Sequence, residues 1–252
     1  MLKENAGSAF VRATRYENMP EPSDLERGVP QPPVERSAAP GKRIVELPGP
    51  GALKVPPMDL RTAIEDRRTG RAYSPAPLSL DELSWLLWAT QGVRKTTEAD
   101  GNPRIWRTVP SAGGRHLFET YLVVRSVEGL QPGLYRFLAL SHRLQELDAP
   151  RDMAQDLVRV FRGQDFAAGA AVTFVWVADV ERTVWRYKAR AYRYFYKDAG
   201  HVCQNLCLAA MPVGCGVCEI GAYDDLDLAG LLGVDGEELM PVYAATVGKT
   251  KA

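Results

Sequence analysis

Three guanidiniums and one hydroxyl fall within five residues, Arg67-Arg68-Thr69-Gly70-Arg71. Arginine offers forked donors that match phosphate oxygens, so the cluster suits a phosphate ester. Its place at the end of an expected helix supports a second reading, a solvated basic face favoured there by the helix dipole. A second segment, Pro110-Ser111-Ala112-Gly113-Gly114-Arg115-His116, consists largely of small residues. Such a backbone lets a ligand approach closely, and its N–H groups can bond the polar edge of a ring. A plain Gly-Gly turn before a strand is the alternative. A third segment, 214–221 (GCGVCEIG), is either a Gly-rich cradle or a strand entering a tight turn.

Other chemistries lack their residues. There is no GxxxxGK[ST] phosphate loop, and Glu219 stands where a GxGxxG fingerprint begun at Gly214 needs its third glycine. GxSxG is missing, and so is HExxH; His116, His142 and His201 are far apart. Asp198 and His201, three residues apart, read as a polar helix face. Cys203, Cys207, Cys215 and Cys218 put four thiols into 16 residues. They could hold zinc or an iron–sulfur cluster, but the first pair lies in an apolar helical run where free cysteine acts as a small core residue.

The 252 residues carry 31 Lys+Arg against 31 Asp+Glu, so no global basic excess favours nucleic acid. No apolar run reaches the roughly 18 residues of a membrane span, and 1–20 has no signal-type apolar core. A cytoplasmic protein with reduced thiols is expected, with no membrane partner.

These residues need elements to position them. Ten of the 18 prolines lie in 1–57, so 1–56 reads as an extended arm, with one short strand near 43–47. Residues 57–252 read as the folded domain. Helices are expected over 58–67, 80–91 (with Ser79 as N-cap), 152–161 and 226–232, and over 184–211 with an interruption near Gly200. Strands are expected over 118–125, 170–178, 214–220 and 240–247, with a hairpin of 133–137 and 143–147 turning at Ser141-His142. Residues 93–116 read as a long functional loop. Helices and strands without strict alternation indicate an α+β fold.

Five blocks in order, RRTGRAYSPAPLSLDELSWLLWATQG (67–92), PSAGGRH (110–116), GLYRF (133–137), RAYRYFYKDAGHVCQNLCLAA (190–210) and VCEIGAYDD (217–225), resemble the nitroreductase-like flavoproteins. The likeness is strongest to their SagB/ThcOx-type dehydrogenase branch. The resemblance implies a central, mainly antiparallel sheet flanked by helices, and a domain-swapped homodimer with FMN at its interface. It implies that Arg67, Arg68 and Thr69, with Arg71, hold the phosphate and ribityl chain. Pro110, Ser111, Ala112, Gly113 and Gly114 would touch the flavin ring from the other subunit. Glu219, Ile220 and Gly221 would face the flavin N5 edge. Lys249, backed by Lys251, would complete the phosphate site, and Gln204-Asn205 matches a recurrent family pair. Trp106, Tyr187 and Tyr192 would lie near the open face of the ring.

The implied activity is hydride transfer through flavin N5, from NAD(P)H or a saturated substrate to a small organic or peptide acceptor, with Tyr187 as the catalytic proton donor or acceptor. Azoline-oxidising relatives carry Lys-Tyr where this chain has Arg186-Tyr187, with Lys188 one step later. That departure leaves a second possibility, a flavin-binding accessory subunit of a peptide-modifying complex without independent turnover. The arm is expected to drape across the partner subunit.

Overall fold

Residues 5–99, 101–149 and 153–251 are described by a computed structural model. Its strands are β1 (Ile44–Glu46), β2 (Val93–Ala99), β3 (Asn102–Arg107), β4 (Phe118–Val124), β5 (Gly133–Leu138), β6 (Arg143–Leu147), β7 (Val172–Asp179), β8 (Cys215–Ile220) and β9 (Leu239–Lys249). Its helices are α1 (Ala6–Ala13), α2 (Leu60–Asp66), α3 (Leu80–Gln91), α4 (Met153–Val160), α5 (Phe166–Gly169), α6 (Val180–Tyr187), α7 (Ala191–Ala210) and α8 (Asp225–Leu232). Seven strands form one sheet in the order β1-β6-β5-β4-β7-β9-β8, every pair antiparallel.

All eight residues of β7 are buried, as its apolar character on both faces requires. Phe174 and Trp176 point to the layer of α3 and α7, while Val175 and Val177 point to that of α4 and α8. This period-two division gives the sheet two hydrophobic faces, each covered by helices. Helix α3 starts at a capping box, Ser79 with Glu82. It is tied to α7 by Trp85 Nε1 donating to the Ala209 carbonyl and Asn205 Nδ2 donating to that of Ala89. Asn205 therefore has a packing role, and Gln204 is exposed.

Three expectations are corrected. Residues 93–107 are not loop but the β2–β3 hairpin, a separate two-stranded sheet. Most of its side chains meet solvent, so no apolar stripe marks it in the sequence. The break in the long helical segment falls at Lys188, whose φ is +49°, and α7 runs through Gly200. Gly200 itself lies on the exposed face of α7, while Ala199, Val202 and Cys203 beside it are buried, and their burial outweighs the ~1 kcal/mol that a mid-helix glycine costs. The expected start of the fourth helix at Asp152 lies outside the described residues.

The third correction concerns the arm, which lies on its own chain. β1 is an edge strand of the main sheet, paired with β6. Upstream of it, Trp185 Nε1 donates to the Val29 carbonyl, Arg190 Nη1 to that of Thr14, and Lys188 Nζ to those of Met19 and Glu21. The cause is a set of buried charges. Arg182 is fully buried; its Nη2 donates to Glu119 (2.7 Å) and Asp179 (3.0 Å), and its Nε to the arm carbonyl of Pro33 (3.0 Å). Arg36 of the arm binds Asp179 through Nε at 2.8 Å and Glu119 through its backbone N–H at 3.0 Å. Burial works most strongly against the Glu119 charge, but Arg182, the Arg36 N–H and Arg136 together outweigh it and hold the carboxyl below its ordinary range.

Replacing Arg182 with Met should therefore lower stability by about 3–5 kcal/mol, because two carboxylates stay buried with one cation. Urea unfolding should register this loss, and proteolysis should cut the released arm. Arg15→Gln, which removes an exposed pair with Glu17, should change stability by less than about 0.5 kcal/mol. Similar unfolding midpoints for the two variants would contradict the role given to Arg182.

Candidate active site

Helix α2 is capped by Asp59, whose carboxylate accepts from the N–H groups of Arg61 and Thr62. After its last residue the chain turns into the edge of β8. Gly70 N–H donates to the Val217 carbonyl at 2.8 Å, and Thr69 bridges Val217 in parallel. Glycine is required at this crossing, since a Cβ on Gly70 would lie 2.9 Å from the Gly216 Cα. Tyr73 Oη donates to the Gly70 carbonyl at 2.8 Å and lies 2.7 Å from Thr246 Oγ1, fixing the turn from below.

The arginines project from this fixed turn. Arg68 curls back to the carbonyls of Glu65 and Arg67, and the Arg71 guanidinium lies 5.7 Å from the centre of the Phe166 ring. Among the described residues neither Arg67 nor Arg71 has a carboxylate partner. Thr69 Oγ1 is 3.4 Å from Glu219 Oε2, so the cluster sits beside 219–221. Ile220 is buried in the α4–α8 layer, while Gly221 is exposed just beyond β8.

Lys249 departs from its expected role. Its ammonium binds the Glu82 carboxylate and, at 2.7 Å, the Val213 carbonyl. Its charge is therefore matched at the α3 N-terminus and is not a free cation for phosphate. Lys251 is exposed.

The second segment is held by α7. Asp198 accepts from Ser111 Oγ at 2.6 Å and from the Ala112 N–H at 3.1 Å, while Ser111 Oγ accepts from the His116 N–H at 2.9 Å. Gly113 and Gly114 have φ of +58° and +63°, and a Cβ on Gly113 would run into the Tyr187 hydroxyl. Tyr187 packs edge-on against Tyr194 at 4.7 Å, with the Arg186 guanidinium 5.5 Å from its ring centre. Trp106, Pro110, Ser111 and residues 113–116 line a cavity of about 880 Å³. Tyr187 lines a neighbouring one of about 450 Å³ beneath the arm. Tyr192 lines neither and packs on Phe195. Within one chain, then, Arg67–Arg71 and 219–221 come together at β8, whereas Pro110–Gly114 and Tyr187 meet at α6 and α7.

Asp198, expected on a polar helix face, is instead buried and holds the 111–112 backbone in place. Its partner Ser111 is 87 positions away, and no local pattern announces the bond. The thiols are all buried; Cys207 donates to Glu219 at 2.9 Å, and burial pushes Cys215 up to about 12. Among the described residues no three His, Cys, Asp or Glu side chains gather as a metal site. Guanidiniums without carboxylate partners among the described residues, set beside a hydroxyl, fit a phosphate ester. The left-handed glycine turn, with its uncovered backbone, fits a flat ring at close approach.

Residues 64–249 match the nitroreductase family. A Methanocaldococcus jannaschii protein named as a nitroreductase is 33% identical over 185 residues, which is 73% of this chain and 89% of that one. The trifolitoxin-processing protein TfxB of Rhizobium leguminosarum bv. trifolii is 30% identical over 151 residues, or 57% of this chain and 40% of its own length. A solved structure from Ralstonia eutropha, titled as a nitroreductase, superposes with a TM-score of 0.67 at 27% identity, over 88% of this chain and 99% of that one. One from Desulfovibrio desulfuricans, solved in complex with FMN, has a TM-score of 0.52 over 78% of this chain and 89% of that one; its 18% identity makes this a likeness of fold.

Burial raises the Asp198 carboxyl above its ordinary 3.8, against the opposing bonds from Ser111 and Ala112. The folded chain thus holds this proton more tightly than the unfolded chain. The resulting stabilisation is complete below pH 3.8 and is lost as pH rises through the folded value. Asp198→Asn removes that dependence. The stability of the wild type minus that of the variant should fall as pH rises above about 4. A difference that is flat or rises with pH in urea unfolding would contradict this.

Proposed function

The chain belongs to the nitroreductase family, and from that premise we propose that it is an FMN-dependent oxidoreductase acting as a homodimer. The observation that carries this reading is the group of arginines fixed beside Glu219 without carboxylate partners. Arg67, Arg68 and Arg71, with the Thr69 hydroxyl, would bind the phosphate and ribityl chain. Ile220 and Gly221 would lay their backbone along the ring edge. Pro110–Gly114 of the other subunit would cover the ring, since in one chain that segment contacts different elements from the arginines.

Bound FMN would supply two-electron chemistry as hydride acceptor and donor. The protein's part is to grip, orient and exclude water. Asp198 sets the 110–114 backbone, and the Tyr187 hydroxyl, lying against Gly113, would hold or pass a proton. NAD(P)H is the proposed reductant and a small organic molecule the proposed acceptor. A homodimer is supported by the apolar residues left exposed around α2, Met58, Leu60 and Ile64. A cytoplasmic location is supported by four free buried thiols. Among the described residues no helix is long and apolar enough to cross a membrane.

The likeness to TfxB, a processing protein by name, favours a second reading, a flavin-binding subunit of a peptide-modifying complex of SagB/ThcOx type. Against azoline oxidation stand Arg186 in place of the relatives' lysine and Lys188, whose ammonium is tied to the arm carbonyls of Met19 and Glu21.

The purified chain should show flavin absorbance in the blue and near ultraviolet. Anaerobic NADH or NADPH should bleach it, and a quinone or nitroaromatic should restore it. Flavin that no nicotinamide reduces, in a chain that co-purifies with a partner, would favour the second reading; a colourless chain that takes up no added FMN would overturn both. Arg67→Ala should weaken FMN binding by about tenfold or more, the worth of a charge-assisted bond. Lys249→Gln should lower thermal stability and leave FMN affinity within about twofold, since its charge pairs with Glu82.

A further inference from the structure

The cavity of about 880 Å³ beside the 110–116 segment has an unusual electrostatic lining. Arg94, Arg104, Arg107, Arg115, Arg186 and His116 contribute to it, and no Asp or Glu does among the described residues that line it. Its volume lies within the range of about 300–1,000 Å³ that small organic ligands occupy. Trp106 and Trp185 add two aromatic walls.

Arg115 is the informative residue. It is 6% exposed, yet among the described residues no carboxylate pairs with it. Nε donates to the Arg182 carbonyl at 2.8 Å and Nη1 to Gln31 Oε1 at 3.1 Å, while the guanidinium lies 4.9 Å from the centre of the Trp185 ring. Among the described residues Nη2 has no hydrogen-bond partner. His116 Nδ1 beside it is also unpartnered, on a residue whose φ is +46°. Burial, then the charge of Arg107, pushes His116 down to about 3, so it is neutral near pH 7. Burial and then Arg182 lower Arg115 to about 10. Deeper in the wall, Arg107 Nη1 donates to Gln91 Oε1 at 2.6 Å and its Nε has no partner. A buried donor left unpaired costs free energy that a bound acceptor recovers, and an anion on a guanidinium recovers more than a neutral acceptor does.

We propose that this cavity receives the anionic group, carboxylate or phosphate ester, of a small organic substrate, and that the guanidiniums of Arg115 and Arg186 in its wall bind it. The assignment rests on the oxidoreductase reading, in which the adjoining Pro110–Gly114 backbone covers the reacting ring. The anion would lie against Arg115 and His116, and the rest of the substrate along Trp106, toward that backbone. Arg115 and Arg186 are thus specificity residues. They select a charged substrate over a neutral one of the same shape.

The test uses the flavin-loaded full-length protein, with flavin occupancy read first from the visible spectrum. Calorimetric titrations with 4-nitrobenzoate, 4-nitrophenyl phosphate and 4-nitrobenzyl alcohol then compare a carboxylate, a phosphate ester and a neutral analogue. At least one anion should bind about tenfold or more tightly than the alcohol, and the tighter of the two identifies the group the site takes. Arg115→Gln should remove most of that preference and leave the alcohol's affinity within about twofold. Because Arg115 also braces Arg182, Arg186→Gln, at an exposed position, serves as a second variant and should reduce the preference with the fold intact. In turnover the same preference should appear in KM. Equal affinity for all three compounds in the loaded protein, or a preference unchanged in both variants, overturns the assignment. A wild-type chain that takes up no flavin overturns the oxidoreductase reading, and the substrate assignment falls with it.

Discussion

Two glycine backbones, Gly70 and Gly216, pass each other so closely that neither tolerates a side chain without a shift. That crossing, sealed by the Gly70–Val217 hydrogen bond and braced by Tyr73, hangs Arg67, Arg68 and Arg71 on the edge of β8. Position matters here more than charge alone. An arginine on a mobile loop loses rotamer entropy whenever it grips an anion, whereas a cluster fixed through its backbone has lost part of that freedom on folding. The crossing also sets Thr69 against Glu219, so the cationic group and 219–221 form one surface.

Arg182 is the second fixed point. It neutralises Glu119 and Asp179 and takes an arm carbonyl, while its own carbonyl accepts from Arg115 and its Nη1 donates to the His116 carbonyl at 3.3 Å. One buried guanidinium thereby links the core, the arm and the wall of the large cavity. The arm is held by polar satisfaction more than by apolar contact. Its prolines give up N–H donors, but its carbonyls serve as acceptors for Arg182, Trp185, Lys188 and Arg190. This arrangement gives a Pro-rich stretch a place on its own chain without a core of its own.

Much of the fold was legible because its signals are local. The Ser79 N-cap of α3, the turn at Ser141-His142 and the doubly apolar β7 follow from neighbours in sequence. The β2–β3 hairpin was not, since its polar strands lack the alternation that marks a half-buried sheet. The helix break at Lys188 was missed because Gly200 is the residue with poor helix propensity, whereas the arm carbonyls that hold Lys188 are nearly 170 positions away. The site divides in the same way. The arginine cluster and the small-residue turn can be read from types and spacing. The pairing of Lys249 with Glu82, and of Asp198 with Ser111, is a tertiary event that neither residue's neighbourhood encodes.

The central claim is that the Arg67–Arg71 cluster grips a phosphate, and comparing FMN with riboflavin isolates that grip because the two differ only there. Equilibrium dialysis of the full-length chain against each compound should give FMN an affinity about a hundredfold higher, as expected when two or three guanidinium bonds to phosphate are formed. Equal affinity for riboflavin would contradict the account.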